Sequence, residues 1–375
     1  MFWQKKQLCS LSLRERVGVR VLATLLALLL ACIQAHAQPS PGRLAVLQRG
    51  VNLTNWFRYP PSGDPAAIRA YMSDAAIADL AASGFTFVRL AVQPEFLLGA
   101  PERMGLLGEA VGRLENAGLA VVVELHPTTW QLETVSADRD RLAATWQMLA
   151  PMLAQFDPCL TFPEIVNEPV FEGDSAGWEA LQQSVLDIIR AALPQATVVL
   201  TGNDWGSLDG LLRLTPVSDG NVVYSFHFYE PRVLVLLADW APSLDKSALA
   251  ALPFPMADPC VRTPASGDTL AMMLAYCGED WTASKLRARI AQAANWAARN
   301  GTSVLMGEFG ATHALNAGAR LAWMSDVRRD ARRFGLGWAL WGYDDVMGFD
   351  LHRPPGERPA LDPGVLRALG LRPPG

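Results

Sequence analysis

The stretch FPEIVNEPVF, residues 162–171, sets an apolar run against an abrupt polar end. Phe162, Ile165 and Val166 read as a buried β-strand, yet the run stops in an amide, a carboxylate and a proline at Asn167, Glu168 and Pro169. Burying a carboxyl group without partners is costly, so a strand that ends this way must open into a polar site. The place of this strand among others like it decides the fold.

Seven further runs rich in Val, Leu, Ile and Phe lie at 50–53, 85–92, 119–125, 196–201, 222–228, 302–306 and 335–341. Segments of helical period fall between most of them, at 65–83, 104–117, 137–156, 175–193, 282–300 and 316–334, with a weak one at 210–217. Continuous apolar strands alternating with helices imply a parallel sheet covered by helices, and eight such units predict a closed (β/α)8 TIM barrel. A single catalytic domain is expected over 38–375. The sixth and seventh runs start 80 residues apart, far more than any other neighbouring pair. The excess, about 231–281, is an extended loop after the sixth strand, predicted to be a structured lid or cleft wall at the end of the barrel that carries function.

Composition narrows the function. The 375 residues are half hydrophobic with a net charge of −5, and no basic stripe exists to neutralise phosphates, so nucleic acid is not an expected partner. Lys5, Lys6, Arg14, Arg16 and Arg20 precede an apolar run at 21–33, followed by Ala35-His36-Ala37. That order predicts a signal peptide over 1–37, cleaved after Ala37, and a secreted or periplasmic product. A competing reading acylates Cys32 within Leu29-Leu30-Ala31-Cys32 as a lipoprotein. No later segment reaches the roughly 18 uninterrupted apolar residues of a membrane helix, so stable membrane insertion is not expected, and neither is an oligomer. In an exported chain Cys260 and Cys277 can close a short loop as a disulfide or remain unbridged, while Cys159, just before a strand, is expected as a buried thiol.

No H-E-x-x-H, phosphate-binding lysine loop or G-x-S-x-G elbow is present, and no histidines pair at metal-ligand spacing, so neither a metal nor a cofactor is implied. Polar residues collect instead at the ends of the apolar runs: Arg89, His126, Asn167, Glu168, His227, Tyr229, Glu308 and Trp341. In a parallel barrel those ends share one face. Two carboxylates from the fourth and seventh strands would meet across it, the arrangement glycoside hydrolysis requires, one group protonated and one ionised. A rigid strand end limits the hydration of Glu168 and so favours its neutral acid form. Trp56, Trp130 and Trp205, with Trp240 and Trp281, fall in predicted strand-end loops where a ring can stack on a sugar; each can equally be an anchor for its own loop.

The ordered set RGVNLTNW (49–56), VRLAV (88–92), His126, IVNEP (165–169), SFHFYEP (225–231), GEFG (307–310) and WALWGYDD (338–345) resembles glycoside hydrolase family 5, the cellulase family. The resemblance spans nearly the whole chain after the leader. It implies that Glu168 is the acid/base and Glu308 the nucleophile of a retaining enzyme. Arg89, His126, Asn167, His227, Tyr229 and Trp341 become the substrate-binding set, with Asn167 on the sugar 2-hydroxyl, Tyr229 and Arg89 holding Glu308 ionised, and Trp341 beneath the cleaved sugar. The implied activity is an endo-β-1,4-glucanase acting on β-glucan. A β-mannanase, a β-1,3-glucanase and a non-catalytic polysaccharide-binding protein of an export system remain alternatives. PTTWQLET (127–134) and the insertion depart from the family pattern, which bears on substrate rather than on the two carboxylates. Retention requires those groups to lie about 5 to 5.5 Å apart.

Overall fold

The computed structural model describes residues 38–351 and 360–374. The leader, its cleavage site, Cys32 and His352 lie outside the described residues. Eight parallel strands close a barrel in sequence order: β1 Arg49–Phe57, β2 Phe87–Val92, β3 Ala120–Leu125, β4 Thr161–Glu164, β5 Val198–Thr201, β6 Val222–Phe228, β7 Ser303–Phe309 and β8 Gly337–Leu340. The long helices Glu102–Asn116, Ser136–Leu153, Ser175–Ala192, Ala283–Asn300 and Ala317–Arg333 cover the outside. The helix expected over 65–83 is two, Pro65–Ala70 and Asp74–Ser83, because the Ser73 hydroxyl accepts from Ala76 N and starts a second helix. Among the described residues no helix is long and apolar enough to cross a membrane.

Side chains alternate across each strand, which explains why the runs are apolar throughout and polar only at one end. Outward residues such as Val88, Leu90, Val121 and Val123 pack under the helices. Inward residues Phe87, Val122, Phe162, Val199, Val223 and Leu305 fill the lower barrel. Gly50 makes room for Phe87, whose ring atoms come within 2.2 Å of where a Cβ would stand. Two residues further along the same inner faces come Arg89, Glu124, Glu164, Thr201 and Ser225, all buried, so the barrel changes from apolar to polar toward its C-terminal mouth.

The insertion is ordered. Helices Arg232–Val235, Lys246–Ala250 and Gly267–Gly278 bury Leu234, Leu249, Met273 and Tyr276, and a Cys260–Cys277 disulfide ties the last helix to the preceding loop, with Cα atoms 6.0 Å apart. Asn316 Nδ2 donates to the carbonyls of Ala250 and Leu252 at 2.8 Å each, docking the insertion against the segment after β7. Cys159 departs from expectation: it is exposed, because it sits in a turn held by Asp157, and β4 begins only at Thr161.

Candidate active site

Arg89 is the centre of the polar layer. Its Nε and Nη2 donate to the two oxygens of Glu164 at 2.7 and 2.8 Å, Nη1 to Glu308 Oε1 at 2.7 Å and Asn52 Oδ1 at 3.0 Å, and Nη2 to Asn167 Oδ1 at 2.9 Å. Such charge-assisted bonds hold their partners firmly in a low dielectric. Arg89 was expected among the substrate-binding residues and as a holder of Glu308; it is fully buried beneath the mouth, with its donors turned to neighbouring side chains, Glu308 among them.

Glu308 reaches the interior through an irregularity. Met306 pairs with Phe226 but Glu308 pairs with His227, so Gly307 is an extra residue on β7. A bulge of this kind re-aims the side chain that follows it. Glycine suits this place, since a Cβ at position 307 would lie 2.3 Å from Ser225 Oγ and would force that hydroxyl to turn away. Glu308 Oε1 then accepts from Arg89, and Oε2 accepts from the Tyr229 hydroxyl at 2.8 Å.

Glu168, at the end of the β4 segment, stands opposite. Its Oε1 is 2.7 Å from His227 Nδ1, which is also 3.3 Å from Glu308 Oε2. Carboxylate oxygens of Glu168 and Glu308 and a ring nitrogen of His227 all lie within 4.8 Å of one another. The Glu308 side chain is 4% exposed and that of Glu168 is 27% exposed, so the second opens to the cleft more than the first. By spacing these three groups could hold a cation, but the Arg89 guanidinium at 2.7 Å from Glu308 opposes one.

Burial sets the protonation of the site. It pushes Glu308 up to about 7, against the pull of His227 and Arg89, and the like charge of Glu168 adds to the rise. Burial also raises Glu168, opposed by His126 and Arg89. His227 is lowered to about 4 by burial and is neutral at neutral pH. Tyr229 is raised well above its ordinary value by burial and then by Glu308, which keeps its hydroxyl a donor.

His126 stacks on Trp341 with centroids 5.9 Å apart, and its Nε2 is 3.2 Å from Asn167 Nδ2. Beside them a cavity of about 580 Å³ opens, lined by Arg58, Tyr59, Trp130, Glu133, Glu168 and Trp205 among others. Trp205 is 60% exposed at its lip. Asp204 and Trp205 both adopt positive φ, 62° and 58°, a conformation costly for residues with side chains and concentrated at functional sites. Trp56 does not reach the cleft. It is buried, donates its indole N–H to Ile68 O at 2.8 Å and stacks on Tyr71, because β1 runs on to Phe57 and carries it under the helices. Trp281 is likewise buried, whereas Trp240 is exposed under the Arg232 guanidinium. This cavity takes in Glu168 but not Glu308, and no residue of 231–281 lines it.

Sequence reasoning passed over Glu124, Glu164 and Asn52. All three are buried polar residues on inward strand positions, and Glu124 lies two residues before His126 on the same face. Counting the strand period back from the mouth would have found them.

A family model described as cellulase (glycosyl hydrolase family 5) matches residues 47–345. Endoglucanase 3 of Fibrobacter succinogenes is 26% identical over 331 residues, covering 79% of this chain; the chain spans about half, 49%, of that relative's length. Endoglucanase C of Acetivibrio thermocellus is 22% identical over 324 residues, which are 81% of this chain and 92% of the relative. The crystal structure of endoglucanase Cel5A from Thermotoga maritima superposes with a TM-score of 0.70 at 22% identity, covering 87% of this chain and 98% of that one, a likeness of fold.

Proposed function

The chain belongs to glycosyl hydrolase family 5, and on that premise we propose that it cleaves β-linked polysaccharide as an endo-β-1,4-glucanase with retention at the anomeric carbon. The observation that carries this reading is the pair of carboxylates whose oxygens approach within 4.8 Å. This is a limit on the approach of one oxygen from each group; so close an approach supports the narrow spacing of retaining enzymes, about 5 to 5.5 Å between carboxyl groups, over the roughly 6.5 to 9.5 Å that leaves room for a water in inverting ones.

Glu308 is the nucleophile. Arg89 and Tyr229 each donate to one of its oxygens, fixing its direction and stabilising its anion. Glu168 is the acid, more exposed to the cleft and raised by burial toward its protonated form. It gives its proton to the glycosidic oxygen while Glu308 bonds to the anomeric carbon and the leaving sugar departs. The resulting ester has lost the Glu308 charge, so Glu168 becomes a stronger acid and its carboxylate deprotonates the incoming water. Neutral His227, at 2.7 Å from Glu168, holds that carboxyl group in place through both steps. Asn167 meets the 2-hydroxyl, Trp341 underlies the sugar, and Trp130 and Trp205 extend the grip along the cavity.

The names of the relatives support a β-1,4-glucan as substrate. The leader-like sequence of residues 1–37 supports export of a single catalytic domain. The test incubates the protein with cellulosic β-1,4-glucan, β-1,3-glucan, mannan and xylan and identifies the products. Internal cleavage of β-1,4-glucan at the highest kcat/KM is expected; preference for mannan or β-1,3-glucan overturns the substrate, and binding without new reducing ends overturns the activity.

A further inference from the structure

Glu124 takes no part in the proposed mechanism, yet it is fully buried on β3, two residues before His126, so both side chains enter the barrel from one face. Its Oε1 lies 2.9 Å from His126 Nδ1 and 3.7 Å from Arg89 Nη1. The other ring nitrogen of His126 is 3.2 Å from Asn167 Nδ2, and Asn167 Oδ1 accepts from Arg89 Nη2 at 2.9 Å.

With an acceptor, Glu124, at one end and a donor, Arg89, at the other, polarity runs only one way along this chain. A guanidinium offers donors alone, so the Asn167 amide turns its oxygen to Arg89 and its NH2 to His126. His126 must then present a lone pair at Nε2, which leaves its one proton on Nδ1. Burial, reinforced by Arg58, holds the ring neutral, so the choice is between two tautomers rather than between charge states. The Nδ1–H needs an acceptor in a buried position, and the Glu124 carboxylate supplies it. With the opposite tautomer, Nε2–H would face the Asn167 NH2, and flipping that amide would turn NH2 against Arg89.

We propose that Glu124 is a positioning residue: by accepting from Nδ1–H of His126 it secures, together with Arg89 at the other end of the relay, the tautomer and the Asn167 amide orientation, leaving one amide N–H free for the 2-hydroxyl of the sugar being cleaved. The consequence for rate rests on the proposed role of Asn167; the tautomer does not. Hydrogen bonds to the 2-hydroxyl strengthen in the transition state, so a misdirected Asn167 should lower kcat more than it raises KM.

The experiment reads the ring directly, by 15N NMR of histidine-labelled protein, in the wild type, Glu124→Gln and Glu124→Leu. Nε2 of His126 should be unprotonated in the wild type and in Glu124→Gln, whose amide oxygen still accepts, and should become protonated in Glu124→Leu. In parallel, kcat is compared on an aryl β-cellobioside and on its analogue lacking the 2-hydroxyl at the cleaved sugar. Glu124→Leu should lose about tenfold or more on the first substrate and markedly less on the second, while Glu124→Gln stays within about threefold of wild type. A protonated Nε2 in the wild type, an unchanged tautomer in Glu124→Leu, or equal loss on both substrates overturns the proposal. The wild-type spectrum decides even if Glu124→Leu does not fold. A correct tautomer in a protein that cleaves no β-glycoside would sink the proposed function and leave the relay standing.

Discussion

Glu168 and Glu308 come from opposite parts of the chain, yet both address one nitrogen: His227 Nδ1 lies 2.7 Å from the first and 3.3 Å from the second. A single imidazole thus fixes the spacing of the two carboxyl groups on which the proposed chemistry depends. Arg89 fixes the second group from below, at 2.7 Å. Neither carboxylate can be removed without consequences that differ in kind.

Glu308→Gln should lower kcat/KM on every β-glycoside by at least about 10⁴-fold, roughly 5 kcal/mol of transition-state stabilisation. Glu168→Gln should be comparably damaging on polysaccharide but much less so on aryl glycosides whose leaving groups need no proton. Steady-state kinetics on both substrate types check this. Equal losses for Glu168→Gln on the two would remove it as the acid.

The acid limb of the pH profile follows from Glu308, which as the proposed nucleophile must be ionised to attack and which burial holds at about 7. In the wild type kcat/KM should fall as pH drops through that value. The like charge of Glu168 contributes to the rise, so in Glu168→Gln, measured on an activated aryl glycoside, the acid limb should move to lower pH. A limb that stays in place would separate Glu308 from the titration.

The same burial predicts a stability cost. Because the Glu308 carboxyl is raised from an ordinary 4.5 to about 7 on folding, the folded protein binds its proton more tightly than the unfolded chain. The contribution is therefore fully present below about pH 4.5 and is lost as pH rises through 7. Glu308→Gln carries no such charge, and Arg89 keeps its bidentate pair with Glu164. The variant should be more stable than wild type at pH 8, by about 1 to 3 kcal/mol, with the gap closing toward pH 4.5. Thermal melts across that range check the sign, and a gap that widens on acidification contradicts it.

The barrel was legible because parallel strands buried on both faces read as unbroken apolar runs, and all eight were visible. The site was legible as a set of polar strand ends. What sequence could not give was direction. Glu308 turns inward only because Gly307 is an extra residue on β7, which a strict period of two would deny. Trp56 looked like a loop residue because β1 seemed to stop at Leu53; the strand continues to Phe57 and buries it. Arg89 was legible as a partner of Glu308, but its depth beneath the mouth was not, because that depth depends on Glu164 and Asn52, which come from two other strands.

Two tryptophans therefore separate binding from folding. Trp205→Ala should raise KM on soluble β-glucan several-fold with little change in kcat, since an exposed ring at the cavity lip binds ground and transition states alike. Trp56→Ala should instead destabilise the fold by about 3 to 5 kcal/mol while leaving KM near wild type in the folded fraction. A reversal of those two phenotypes would reassign both residues.

The Cys260–Cys277 bridge closes a loop with a sequence separation of 17. Chain-entropy arguments give such a loop about 3 kcal/mol of stabilisation. Reduction or Cys277→Ser should lower the melting temperature, yet, because no insertion residue lines the cavity, cleavage measured well below the melt should stay within about twofold of wild type. A large loss of activity without a loss of stability would place the insertion in substrate binding.

Proton NMR of the first turnover of a β-1,4-linked glucan oligosaccharide, read before mutarotation, tests the double displacement most directly. Attack by Glu308, followed by water activated at Glu168, predicts a newly formed reducing end in the β configuration. An α product would mean that water attacks the sugar in a single step, and the proximity of Glu168 to Glu308 would then need another explanation.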